Sequence, residues 1–216
     1  MKDIIKIAYS LTLPPEGDKL LKGADLVLIG RKAFPTLNYR RELSGQDTVL
    51  REMARLSKAL AAPTAFEVLT DNYGQKRRSV ALFEGGKLLS IADAQRPFDK
   101  GESPSSGVKI IRLKSLKVGI AVSHDVKNVE VLKALSICES DVIINLYADI
   151  YDYSMANLVS AVGYLFGTAT VSLTPSKCLA AAPGGATVFS GDGERGVFDL
   201  PIKKRFKEEI IKTFTG

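Results

Sequence analysis

Residues 118–130 read Val-Gly-Ile-Ala-Val-Ser-His-Asp-Val-Lys-Asn-Val-Glu, and three adjacent side chains there belong to acyl-transfer chemistry. The Ser123 hydroxyl is a nucleophile when a base removes its proton. An imidazole such as His124 is the usual base, and a carboxylate such as Asp125 is its usual orienting partner. As consecutive residues they do not form a working triad. Neighbours on an extended strand point to opposite faces, so His124 does not reach the Ser123 hydroxyl in ordinary geometry. His124 is also the only histidine in the chain. The informative feature is the layout: a buried apolar strand over 117–122 stops at a small nucleophile-type residue and turns into a helix. That is the layout of a nucleophile elbow, in which a sharp turn lifts one side chain off the sheet edge. A plain polar turn at a strand end is the alternative reading of the same residues.

Other patterns carry less chemistry. Gly191-Asp192-Gly193-Glu194-Arg195-Gly196 matches G-x-G-x-x-G. A dinucleotide site needs those glycines between a strand and a helix. Here strands are predicted on both sides, so a glycine-rich hairpin turn is expected. One histidine and two distant cysteines, Cys138 and Cys178, offer no zinc constellation, and no metal site is expected. Two cysteines in a chain of this length do not read as a disulfide framework either, which favours a reducing cytosol.

The elements that must position Ser123 follow from periodicity. Short apolar strands are predicted at Ile4–Tyr9 and Ala24–Gly30, with Pro14-Pro15 limiting any helix between them. Ser44 with Asp47 gives a capping-box pattern, and Val49, Met53, Leu56 and Leu60 fall on one helical face behind it. Thr64–Leu69 is a strand, and Ser79–Phe83 with Lys87–Ile91 reads as a hairpin about Glu84-Gly85-Gly86. A polar loop covers Asp93–Gly107. Strands are predicted at Val108–Leu113, Lys117–Val122, Val142–Leu146 and Thr168–Leu173. Helices carry Val131, Leu132 and Leu135, then the stripe Met155, Leu158, Val159, Val162, Leu165 and Phe166. Gly185–Ser190 and Val197–Leu200 bracket a turn, and a basic amphipathic helix with Phe206, Ile210 and Phe214 closes the chain. Alternating strands and helices with interspersed hairpins imply an α/β layered domain with mixed sheets.

Composition sets outer bounds. The chain has 216 residues, 45% hydrophobic and 25% charged, enough for one well-buried domain over residues 1–216. The net charge is +6. The basic runs Gln75-Lys76-Arg77-Arg78 and Lys203-Lys204-Arg205 are expected to be solvated turn and helix-start charges, so nucleic acid is not an expected partner. Met1 is not followed by a basic-then-apolar leader, so no secretion signal is expected. The uncharged window 154–176 contains Asn157, Gly163, Gly167 and several hydroxyl residues, which suits a buried helix and strand better than a membrane span.

Five segments in order resemble the nitrilase, or carbon–nitrogen hydrolase, superfamily. Gly23-Ala24-Asp25-Leu26-Val27 is similar to the strand that leads to the family's catalytic Glu. Arg77 to Ala81 and the Gly85-Gly86 hairpin resemble the segment before the family's catalytic Lys. Val118–Asp125 is similar to the elbow that bears its Cys, and Asp141–Asn145 to the strand after it. Gly184 to Val188 with Asp192-Gly193 resembles a late hairpin. The resemblance implies an α-β-β-α sandwich with mixed sheets, no metal or organic cofactor, and a homodimer or larger assembly. It also implies amide chemistry by a Cys thiolate, a Glu base and a Lys that stabilises the oxyanion.

On this correspondence the Glu, Lys and Cys positions hold Arg31, Ala94 and Ser123. A register two residues along would put Arg96 in the Lys position. A guanidinium accepts no proton, and a serine is a weaker nucleophile than a thiolate. The expectation is a cytoplasmic pseudoenzyme that binds a small anionic, carboxylate ligand through Arg31, Arg96 and His124, or that assembles with a partner. The rival expectation is an amide hydrolase that uses Ser123, with Glu102 or Asp125 as the acid. A structural subunit with a collapsed pocket is the third.

Overall fold

The computed structural model describes residues 2–15, 17–30, 34–96, 100–105, 107–146 and 154–203. Arg31, Lys32 and the C-terminal segment with Phe206, Ile210 and Phe214 lie outside the described residues. Among the described residues, the strands form two mixed sheets stacked face to face. One sheet holds β1 (Ile4–Ser10), β2 (Leu26–Ile29), β3 (Leu37–Asn38), β4 (Thr64–Asn72), β5 (Gln75–Glu84), β6 (Lys87–Asp93) and β13 (Arg195–Pro201). Its main path runs β13-β1-β2-β4-β5-β6. The other holds β7 (Lys109–Arg112), β8 (Lys117–Val122), β9 (Val142–Leu146), β10 (Ala169–Leu173), β11 (Cys178–Ala181) and β12 (Thr187–Gly191), ordered β12-β11-β10-β9-β8-β7.

Period-2 alternation sends one face of each strand inward and the other toward helices. Ile5, Ile7, Leu26 and Val80 of the first sheet meet Val118, Ile120, Ile144 and Val171 of the second in the inter-sheet core. On the outer side of the first sheet, Met53, Leu56 and Leu60 of α2 (Val49–Leu60) pack on Phe66 and Phe83. On the outer side of the second, Val131, Leu132 and Leu135 of α3 (Val129–Ile137) cover Ala121 and Ile143. Met155 and Val159 of α4 (Ser154–Phe166) cover Leu179 and Ala181. The result is the α-β-β-α sandwich that the resemblance implied. β8, β9 and β10 pair in parallel, as strands joined through α3 and α4 must. No helix among the described residues is long and apolar enough to cross a membrane.

Several expectations change. Ser44 and Asp47 do not cap α2. Ser44 ends a short helix α1 (Tyr39–Leu43), Asp47 pairs with Arg41, and Thr48 occupies the cap of α2 with its hydroxyl on Glu52. The Met155–Phe166 stripe divides: Met155, Val159 and Val162 are buried, while Leu165 is 68% exposed. β11 was hidden by its short, small-residue sequence. The Gly191–Gly196 turn is not a hairpin, because β12 pairs with β11 and β13 pairs with β1 in the opposite sheet. Its glycines serve the ring of Tyr9: a Cβ on Gly196 would lie 2.6 Å from Tyr9 Cε1, and one on Gly191 2.9 Å from its hydroxyl oxygen.

Candidate functional site

β8 is buried from Val118 to Val122 and ends in a sharp turn. Ser123 takes φ +55°, the left-handed region that costs any residue with a Cβ. The chain then makes a single 3-10 turn over Ser123–Lys127 and enters α3 behind Asn128, whose side chain accepts from Glu130 N–H. The turn is closed by Asp125, which accepts the Val122 N–H at 3.1 Å. Ser123 is only 1% exposed, and its Oγ has no hydrogen-bond partner among the described residues. A strained backbone carrying a small polar side chain at a strand end is the elbow predicted from the sequence.

Asp125 does more than close the turn. Its carboxylate oxygens also accept the Gln95 N–H at 3.0 and 3.2 Å, and the backbone N–H of Arg96. The carboxylate therefore ties the end of β8 in one sheet to the segment after β6 in the other. Burial pushes its pKa up to about 6, against the pull of those N–H donors and of the Arg96 guanidinium. With its carboxylate held by backbone amides, Asp125 acts as a clasp. His124 sits half-buried in the same turn.

Ala94 follows β6 directly and is 3% exposed, within the same core cluster as Val122. Its N–H donates to the Arg78 carbonyl at 2.9 Å, and its carbonyl accepts from Ser105 N–H at 2.9 Å. The Arg96 side chain is exposed. Ala94 is thus the buried residue of this segment, while Arg96 is exposed with its charge acting on Asp125. Ser103 N–H donates to Lys76 at 3.0 Å, and Arg78 Nε pairs with Glu102 Oε1 at 2.8 Å. Arg78 and Glu102 are 4% and 8% exposed at their side chains. The expectation that the 75–78 run is wholly solvated is thus corrected. Alternation on β5 places Arg78 with Val80 and Leu82 on the inner face, while Arg77 faces outward. That alternation was readable in the sequence once the strand is extended back to Gln75.

The sequence reading also missed Glu67, 4% exposed on β4, whose register partner Val80 lies two residues from Arg78 on the same face. The structure thus brings together Ser123, Asp125 and the 94–96 segment, and fixes that segment to the buried Arg78–Glu102 pair. β2, which leads toward Arg31, ends with the Gly30 N–H on the Ser10 carbonyl at 2.8 Å. A Cβ on Gly30 would lie 3.0 Å from the Leu11 carbonyl oxygen, so the chain runs close to Leu11 there. Among the described residues, no group of three or more His, Cys, Asp or Glu is placed to hold a metal ion.

No protein-family model matches the sequence, and no curated protein matches it. Solved structures do match. An amidase from Nesterenkonia sp. superposes with TM-score 0.74 at 14% identity, over 99% of this chain and 98% of that one. A mutant of the Nesterenkonia AN1 amidase, described as from the nitrilase superfamily, gives TM-score 0.75 at 14% identity over 97% of both chains. A further mutant, with the acetamide moiety of fluoroacetamide added covalently at its active-site cysteine, gives TM-score 0.76 at 14% identity over 97% of both.

Proposed function

We propose that this chain, whose fold is that of the nitrilase-superfamily amidases, has given up amide hydrolysis and binds a small carboxylate at the Ser123 elbow. The observation that carries this reading is the Ser123 hydroxyl. It is a buried donor with no acceptor among the described residues. An unmet buried polar group costs about 1–3 kcal/mol, which an acceptor oxygen of a ligand relieves. The same observation argues against turnover, because a serine nucleophile needs a base within hydrogen-bond reach. Asp125, the nearest carboxylate in sequence, is engaged by backbone N–H groups and not by the Ser123 hydroxyl. Arg31, at the position corresponding to the family's Glu, would add a positive charge rather than a base.

Hydrolysis by Ser123 is the second reading, and the left-handed backbone at Ser123 favours it, since such strain gathers at catalytic sites. One of the similar amidase structures is described as a complex with butyramide. Ammonia release from butyramide and other short amides, measured for wild type and Ser123→Ala, decides between them. No release, or equal traces in both proteins, is the expected result. Turnover lost in Ser123→Ala would overturn the binding reading. Calorimetry with butyrate is expected to show binding that weakens in both Ser123→Ala and Arg31→Ala.

A further inference from the structure

Resting on that reading of the elbow, we propose that Arg78 supplies the site's cation from the neighbouring strand, taking the place that Ala94 leaves uncharged. Register carries the argument. Ser79 pairs with Asp93 and Val80 with Ala92, and the Ala94 N–H donates to the Arg78 carbonyl. Arg78 and Ala94 are therefore cross-strand neighbours. Ala92 and Ala94 belong to the inter-sheet core with Val80, so the two residues share the inner face. Cross-strand Cβ atoms lie about 4.5–5.5 Å apart, and a methyl at one position leaves room for a long side chain at the other. Arg78 fills that position almost without exposure, and Glu102 orients it through Nε.

The same end of the inner face meets the elbow. Gln95, next to Ala94, is bonded to Asp125, and Val122 lies in the same cluster as Ala94. The charge that the family resemblance puts on β6 would then come from Arg78 on β5, with buried Glu102 as its counter-ion. The guanidinium is planar and always charged, so it suits a carboxylate oxygen better than a single ammonium does. Arg78 is thus the group assigned to read the ligand's carboxylate, with Ser123 as the second donor.

The test is a double-mutant cycle of Arg78→Ala and Ala94→Lys, read as melting temperature with and without sodium butyrate. Arg78→Ala leaves Glu102 without this buried partner and is expected to lower Tm by roughly 10 °C. Ala94→Lys alone is expected to lower Tm, because it sets two cations side by side. In the Arg78→Ala background the same lysine is expected to raise Tm by recovering the ion pair with Glu102. If Arg78→Ala yields no folded protein, recovery of soluble protein in the double variant is the equivalent positive result. Ala94→Lys lowering Tm equally in both backgrounds, or failing to recover soluble protein, overturns the proposal. Butyrate is expected to raise Tm in wild type and in the double variant, and at least tenfold more of it to be needed without either cation. The reversal of sign without any butyrate effect would retain the charge replacement and reject the carboxylate reading of the elbow.

Discussion

At Ser123, strain and an unmet hydroxyl occupy one residue. A non-glycine residue held in the left-handed region costs about 1–3 kcal/mol, and glycine relieves most of it. Ser123→Gly is expected to raise stability by about 1 kcal/mol in denaturant unfolding while weakening butyrate binding. Lower stability would mean that the hydroxyl is satisfied in the folded protein. Asp125 makes a second prediction. Its pKa is raised from 3.8 to about 6, chiefly by burial. Between those values the folded state holds a proton that the unfolded chain has released. The stabilisation is full below about pH 4 and is lost as pH rises through 6. Against Asp125→Asn, whose amide does not titrate, wild type is expected to gain about 1–3 kcal/mol as pH falls from 7 to 4. A stability difference that is flat with pH would remove the raised pKa.

At the scale of elements, the packing of α4 on the turn after β11 depends on Gly163. A Cβ there would lie 2.6 Å from the Ala182 carbonyl oxygen and 3.3 Å from Gly185 Cα. Both obstacles are backbone, so the helix must move rather than a side chain. Gly163→Ala is expected to cost about 1–3 kcal/mol, seen as a Tm lowered by several degrees. Gly101→Ala is its control for crowding, since nothing lies within 4 Å of a Cβ there and its φ is not in the left-handed region. The same crowding explains why the glycine-rich turn at 191–196 is not a phosphate loop. Gly191 and Gly196 let the chain pass Tyr9 as it crosses from one sheet to the other.

For the whole molecule, the outer helices leave apolar groups in solvent. Val129 and Ile137 of α3 are 59% and 66% exposed, and Tyr164 and Leu165 of α4 are 62% and 68% exposed. α3 and α4 pack side by side through Val162. We propose that this helical face joins two copies of the chain, as the resemblance implied. Sedimentation velocity is expected to show a dimer that Leu165→Lys converts to monomer. A monomeric wild type would reject the idea.

The sequence by itself determined most of the long strands, the helices α2, α3 and α4, and the elbow, but not the short elements β3, α1 and β11. β8 and β9 fall within the predicted limits because buried parallel strands are uninterrupted apolar runs with polar or glycine ends. The Ser123 turn was legible from its order of residue types. What the sequence left open was decided by register and sheet assignment. That Ala94 shares the inner face with Arg78 depends on the pairing of β5 with β6, since a shift of one residue turns every side chain to the other face. The burial of Arg78 depends on a partner, Glu102, from a loop with no periodicity of its own. The clasp of Asp125 joins two sheets whose strands lie 30 residues apart in sequence at that bond. Local propensity acts over a few residues, whereas the charge and hydrogen bonding of a site depend on which distant groups the fold brings beside it. Only the tertiary structure could set those.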